Sequence, residues 1–190
     1  MLHIQDAKYK DNVTITGKVT DVNGKALYNI NAIITINGKV YKAKTDKTGA
    51  FTLTVAAKTI GTNNITISYG GNANYNSFET VTTFNVEKQD LIITYDAIQD
   101  AKYKDTVTIT GKFTDANGRA IINCNINVDI NGKTYKAKSS NTGDFTFITT
   151  ANTVGTNNVT LSYAGNTNYN GYECNTTFNV EKQDIIITYD

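Results

Sequence analysis

Residues 31–44 read NAIITINGKVYKAK. Ala32, Ile34 and Ile36 alternate with Asn31, Ile33 and Thr35, a two-residue period that points one row of a strand toward a core. Asn37-Gly38 follows. Both residues tolerate positive φ, and the pair is the strongest short hairpin signal a sequence offers. Tyr41 and Ala43 carry the return strand, so the stretch predicts an antiparallel hairpin with one buried face. Outward from it the pattern continues. Val13, Ile15 and Val19 alternate with Thr14, Thr16 and Lys18 before the turn DVNG (21–24). The turn DKTG (46–49) leads to Phe51, Leu53 and Val55, then Ile65, Ile67 and Tyr69, then Phe84 and Val86. Short alternating strands, closely spaced and separated by turns, read as an antiparallel β-sandwich. No segment sustains a 3.6-residue apolar period, so almost no helix is expected.

The hairpin is written twice. NINVDINGKTYKAK occupies residues 125–138, and a single offset of 94 residues aligns 4–96 with 98–190 without a gap, roughly two thirds of the positions being identical. The inward rows return as Val107, Ile109 and Phe113; Ile126, Val128 and Ile130; Phe145 and Phe147; Val159, Leu161 and Tyr163; Phe178 and Val180. Repeats of 20–50 residues make solenoids or propellers. A copy this long can bury a core of its own, each inward aliphatic contributing about 1.5–3 kcal/mol gross against the entropy of ordering the chain. The expectation is two tandem sandwiches, with repeat one at 1–90, repeat two at 91–184 and an extra strand at 185–190. The junction contains neither Gly nor Pro, which favours a semi-rigid rod over a flexible tether.

Composition removes several classes of function. Eighteen Lys and Arg against 17 Asp and Glu leave a net charge of +1, without the basic excess that a general nucleic-acid binder uses to displace counterions. No apolar run reaches the roughly 18 residues of a membrane span, so no membrane insertion of this segment is expected. Met1-Leu2-His3 does not open a signal peptide; the reading is a chain cut from a longer protein or one whose signal has been removed. The only His is His3. No nucleophile elbow, P-loop or recurrent carboxylate pair is present, so neither an enzyme nor a cofactor is expected. Pro and Trp are absent while Tyr occurs 12 times, and with abundant Asn, Thr, Val and Ile this describes strands joined by Asn/Gly turns.

Several short motifs recur in fixed order. They are G-K-x-T-D-x-x-G at 17–24 and 111–118, T-G-x-F ending at Phe51 and Phe145, G-T-N-N at 61–64 and 155–158, Y-x-G-N-x-N-Y at 69–75 and 163–169, and F-N-V-E-K-Q-D at 84–90 and 178–184. In order and spacing the chain resembles the Ig-like repeats of the large adhesin-like surface proteins of methanogenic archaea, and is similar to related bacterial Ig-like modules. The resemblance covers nearly the whole chain, twice. It implies two tandem antiparallel Ig-like β-sandwich domains, an extracellular location at the cell surface, and a role as stalk, spacer or adhesive module. Implied partners are other surface-protein domains, or glycans and proteins of a host or a neighbouring cell. Such a fold carries many functions.

Candidate site residues follow from local chemistry. Tyr69 and Tyr75, with Tyr163 and Tyr169, read as packed tyrosine corners of an Ig-like fold rather than as an open sugar platform. Phe78 and Tyr172, in the variable part of the same loop, are the candidate contact residues of a carbohydrate-binding module. Cys124 and Cys174 occur only in repeat two, in phase with inward residues. They fit either a disulfide or two buried thiols; if both lie in one sheet with a strand between, that spacing exceeds the reach of a disulfide, so a bond needs one of them in a loop. Asn12, Asn64, Asn158 and Asn175 begin N-x-[ST] sequons. Asp90, Asp96 and Asp100 are candidate calcium ligands at the junction, against the plainer reading of a solvated turn.

The ends are informative in a different way. LIITYD at 91–96 opens repeat two and recurs as IIITYD at 185–190, whereas Met1 aligns with Tyr95, so repeat one lacks its first strand. The favoured expectation is a segment of a longer array. The alternative is a filament subunit in which Ile185, Ile187 and Tyr189 are donated to repeat one of the next molecule, giving head-to-tail self-association.

Overall fold

The computed structural model describes residues 4–189, which fold as two compact units divided between Lys88 and Gln89. Every regular element among them is a strand. The architecture is all-β: two tandem antiparallel Ig-like β-sandwich domains.

Domain one contains β1 (Ala7–Lys8), β2 (Asn12–Lys18), β3 (Asn31–Ile36), β4 (Lys39–Lys44), β5 (Ala50–Ala56), β6 (Gly61–Tyr69) and β7 (Phe78–Glu87). Its larger sheet has the order β1-β7-β6-β3-β4, and β2 and β5 form a two-stranded sheet. The hairpin at 31–44 forms as read: Ile36 pairs with Lys39, and Asn37 and Gly38 take φ of 46° and 84°, the left-handed pair that matches the twist of the flanking strands. Its turn is tied to β6, because the Asn37 side chain donates to Asn63 Oδ1 at 2.7 Å and accepts the Asn64 N–H at 2.9 Å. Asn63 itself is buried and donates to the carbonyls of Thr59 and Gly61. Asn63 is thus the buried clamp of the G-T-N-N motif. The core gathers Val13, Ile15, Ala32, Ile34, Phe51, Ile65, Phe84 and Val86, with Val19, Leu53 and Val55 packed partly buried around it.

Domain two contains β8 (Leu91–Tyr95), β9 (Ala101–Lys102), β10 (Thr106–Asp115), β11 (Asn125–Ile130), β12 (Lys133–Lys138), β13 (Asp144–Thr150), β14 (Gly155–Tyr163) and β15 (Tyr172–Glu181). The larger sheet, β12-β11-β14-β15-β9, repeats that of domain one, but the smaller has three strands, β13-β10-β8. The additional strand is β8, antiparallel to β10, with Tyr95 opposite Gly111, Ile93 opposite Phe113 and Leu91 opposite Asp115. Leu91 and Ile93 are buried, as are Phe113, Ile126, Leu161 and Phe178 of the same domain. The Phe113 ring meets Tyr163 edge-on at 5.3 Å. In domain one no described strand stands beside β2 on the side away from β5. As a result β2 ends at Lys18, whereas its counterpart β10 continues three residues further to Asp115.

Candidate functional site

The segment 89–96 is fastened along its whole length in domain two. Gln89 is almost fully buried. Its N–H donates to Asn168 O at 3.0 Å and its carbonyl accepts the Asn170 N–H at 2.9 Å. The Asp90 carbonyl accepts from Ala116 N–H at 3.0 Å, and its carboxylate from Asn170 Nδ2 at 2.7 Å. At the far end the Tyr95 hydroxyl donates to Asn175 O at 3.2 Å, and Asp96 N–H to Thr110 O at 3.0 Å. The approach is close enough to dictate sequence: a Cβ on Gly111 would stand 2.1 Å from Thr94 O. At Gly17 the atoms nearest to such a Cβ belong to the Phe51 ring instead, the first at 2.4 Å.

In domain one the same place is open. A groove of about 580 Å³ runs along Gly17–Asn23 and is bounded by Phe51, Ile67, Tyr69, Tyr75 and Phe78. Asn74, Tyr75 and Asn76, which also border it, are the counterparts of the residues that hold Gln89 in domain two. Burial follows β8. Tyr169 is buried while Tyr75 is half-buried; Phe113 is fully buried while Val19 is half-buried; Asp115 is 1 % exposed while Asp21 faces a solvent-open turn.

The predicted contact residues are distributed unevenly. Phe78 and Tyr172 do not sit at a loop tip; they are the first residues of β7 and β15, opposite Tyr69 and Tyr163. The ladder simply runs to the end of both strands. Phe78 is 64 % exposed and borders the groove, whereas Tyr172 is half-buried. Tyr163 packs on Phe113, and burial, followed by the neighbouring Cys124, raises its pKa.

Cys124 and Cys174 are free thiols, each half-buried. Cys174 lies on β15 opposite Leu161 of β14, and Cys124 immediately precedes β11, which pairs with the other edge of β14. One strand therefore separates them, about 9–10 Å by strand spacing alone, and the register adds to this because Val128, not Cys124, is the β11 residue level with Leu161 and Cys174; the roughly 7 Å that a disulfide spans is exceeded. The disulfide considered from sequence gives way to two separate packed thiols. Burial, reinforced by Glu173, raises the Cys174 pKa. We expect two thiols to titrate with a disulfide reagent in denaturant without reductant. In the native protein at neutral pH Cys174 should alkylate more slowly than an exposed cysteine, because the thiolate is the nucleophile. Unreactive sulfur in unreduced, unfolded protein would contradict this arrangement.

The acidic residues of the junction do not converge. Asp90 accepts from Asn170, Asp96 Oδ2 from Thr110 Oγ1 at 2.5 Å, and Asp100 Oδ1 from Asn179 N–H at 2.8 Å. Among the described residues no three His, Cys, Asp or Glu form a group that could hold a metal ion, and the calcium reading goes no further. His3 lies outside the described residues. The four sequon asparagines are exposed on strands rather than loops: Asn12 starts β2, Asn64 and Asn158 lie on β6 and β14, and Asn175 lies on β15 with its Oδ1 accepting from Thr160 at 2.6 Å. Among the described residues no helix is long and apolar enough to cross a membrane.

Ile185, Ile187 and Tyr189 are 86 %, 85 % and 94 % exposed. They follow an ion pair between Lys102 and Asp184, which holds the Asp184 carboxyl below its ordinary pKa and raises that of Lys102.

No family model and no curated protein sequence matches the chain. Solved structures do. Invasin, described as a bacterial integrin-binding protein, aligns with a TM-score of 0.57 and 20 % identity over 94 % of this chain and 37 % of its own. The chain therefore spans little more than a third of that protein, and the likeness shows the fold. Domains 4 and 5 of the S-layer protein SbsC align over 90 % of this chain and 82 % of theirs, with 18 % identity and a TM-score of 0.39. The fibronectin(III)-like modules of Clostridium thermocellum CbhA align over the full length of both chains with 12 % identity and a TM-score of 0.40.

Proposed function

We propose that the chain is a non-enzymatic segment of a cell-surface adhesin-like protein, its Ig-like domains serving as stalk and adhesive modules outside the cell. The observation that carries this reading is the duplication of an entire sandwich at a constant offset of 94 residues, with its closing strand and junction nearly unchanged. Repetition of a complete, separately cored unit lengthens a molecule without adding a new chemistry. The motifs shared with archaeal adhesin-like repeats point the same way, and the fold is also that of invasin, an integrin-binding protein. Partners of this class would be proteins or glycans of another surface. Phe78, exposed at the edge of the groove, is the residue best placed to meet one.

Antibodies raised against the folded chain test the location. Intact cells of the source organism should label, and labelling should disappear when whole cells are treated with protease. Label that appears only after lysis would overturn the proposal.

A further inference from the structure

The groove of domain one and the segment 183–189 are complementary parts of a single repeated design. Residues 89–95 read QDLIITY and residues 183–189 read QDIIITY, differing only at Leu91 against Ile185. The first copy fills the smaller sheet of domain two, with Leu91 and Ile93 at 3 % and 2 % exposure. The second copy buries none of its large apolar side chains, Ile186 being 90 % exposed beside Ile185, Ile187 and Tyr189. The groove of domain one is bordered by the same residue types that hold β8: the edge Gly17–Asp21, and the loop Asn74–Asn76. An unpaired sheet edge beside an open apolar groove accepts an added strand, backbone hydrogen bonds giving affinity and alternate side chains giving specificity.

We propose that the groove of domain one is an acceptor for residues 183–189 of a second copy of this chain. The offset fixes the register. Tyr189 stands opposite Gly17, Ile187 opposite Val19 and Ile185 opposite Asp21, as Tyr95, Ile93 and Leu91 stand opposite Gly111, Phe113 and Asp115. Ile185 and Ile187 become buried, and Ile186 stays outward like Ile92, which is 37 % exposed. Gln183 takes the place of Gln89 against the loop 74–76. Val19 is smaller than its counterpart Phe113, leaving room for Ile187. Donor and acceptor are different surfaces of one chain, so the contact is heterologous, and unless it closes into a ring it propagates head to tail. The inference concerns assembly and is independent of where the protein resides.

The test is molar mass by light scattering, from micromolar to millimolar, for the full chain and for Ile187→Asp. That residue is exposed in the isolated chain, so the variant should fold unchanged. The full chain should rise from 20.8 kDa in successive multiples as concentration increases. Ile187→Asp should weaken association by at least about 100-fold, since it would place a carboxylate in the apolar groove. The double variant Thr20→Cys, Ile186→Cys should give a disulfide-linked ladder on a non-reducing gel, absent from either single variant, because directly opposed residues bring their Cα atoms within bridging range. A monomer at every concentration overturns the proposal, including one whose tail amides are protected by docking into its own groove. Association that survives Ile187→Asp overturns it in favour of another surface, and absence of the ladder overturns the register.

Discussion

Replacing Ile93 with Asp should destabilise domain two by at least about 4 kcal/mol, while the same change at Ile187 leaves the stability of the monomer unaltered. Ile93 is 2 % exposed and Ile187 85 % exposed, although both occupy the same place in nearly identical heptapeptides. Removing a buried Ile forfeits its transfer free energy and leaves a cavity. Putting a carboxylate there adds the cost of burying a group with no partner. Since domains of this size hold about 5–15 kcal/mol in total, domain two either unfolds or releases the segment 89–96. The two outcomes separate in hydrogen exchange. Release exposes the amides along the β8 side of Gly111–Asp115 and spares β14, whereas unfolding exposes both. In a thermal scan 1 kcal/mol corresponds to about 4–8 °C for a domain of 60–100 residues, so the Ile93→Asp transition should fall by 15 °C or more. An equal shift for Ile187→Asp would mean that the tail is docked in the monomer.

Asp115→Ala should cost about 3 kcal/mol, and Asp21→Ala, its counterpart in domain one, less than about 1 kcal/mol. The two carboxylates hold the same turn. Asp115 Oδ1 accepts the N–H groups of Asn117 and Arg119, each at 2.9 Å; Asp21 Oδ1 accepts those of Asn23 and Lys25, each at 2.9 Å. Their surroundings differ. The Asp115 side chain is 0 % exposed, capped by Leu91 and engaged through Oδ2 by Arg119 Nε at 2.6 Å. Removing it leaves buried donors without acceptors, a loss of about 3–5 kcal/mol when both partners are fully buried. Arg119 is 39 % exposed and regains water, which brings the figure to the lower end. Around Asp21 water replaces the lost acceptor. Chemical denaturation of the two variants, with one tryptophan-free probe per domain such as β10 or β2 amide exchange, measures the difference. Equal costs would mean that the strand β8 does not create the asymmetry.

Much of this architecture was legible from local pattern. The alternation in Ala32-Ile34-Ile36 and Val159-Leu161, with the Asn-Gly turns at 37–38 and 131–132, places the strands and hairpins. The side-chain period of a strand is 2 and the turn residues must tolerate positive φ, so both are written in a few consecutive residues. The offset of 94 residues declares two copies in the same direct way. The site was legible only in part. Ile185, Ile187 and Tyr189 stood out because they repeat Leu91, Ile93 and Tyr95. The roles of Gln89, Asp115 and the Asn63 clamp did not, since an isolated Gln, Asp or Asn in a polar chain carries no sign of burial. Phe78 and Tyr172 were read as loop because their neighbours are Asn and Gly; pairing with Tyr69 and Tyr163 extends the ladder over them.

By itself the sequence determines what each segment can be: strand, hairpin turn or repeated unit. The tertiary structure alone decides what covers what. Val19 and Phe113, Asp21 and Asp115, or Tyr75 and Tyr169 sit in nearly the same local sequence yet differ in burial, because burial depends on a strand contributed from outside that local window. Sheet order likewise sets Cys124 and Cys174 on opposite flanks of β14 and leaves them as thiols. Periodicity is a property of consecutive residues, whereas coverage is a property of the whole chain. That is why one sequence motif closes domain two and its copy, 94 residues later, remains in solvent.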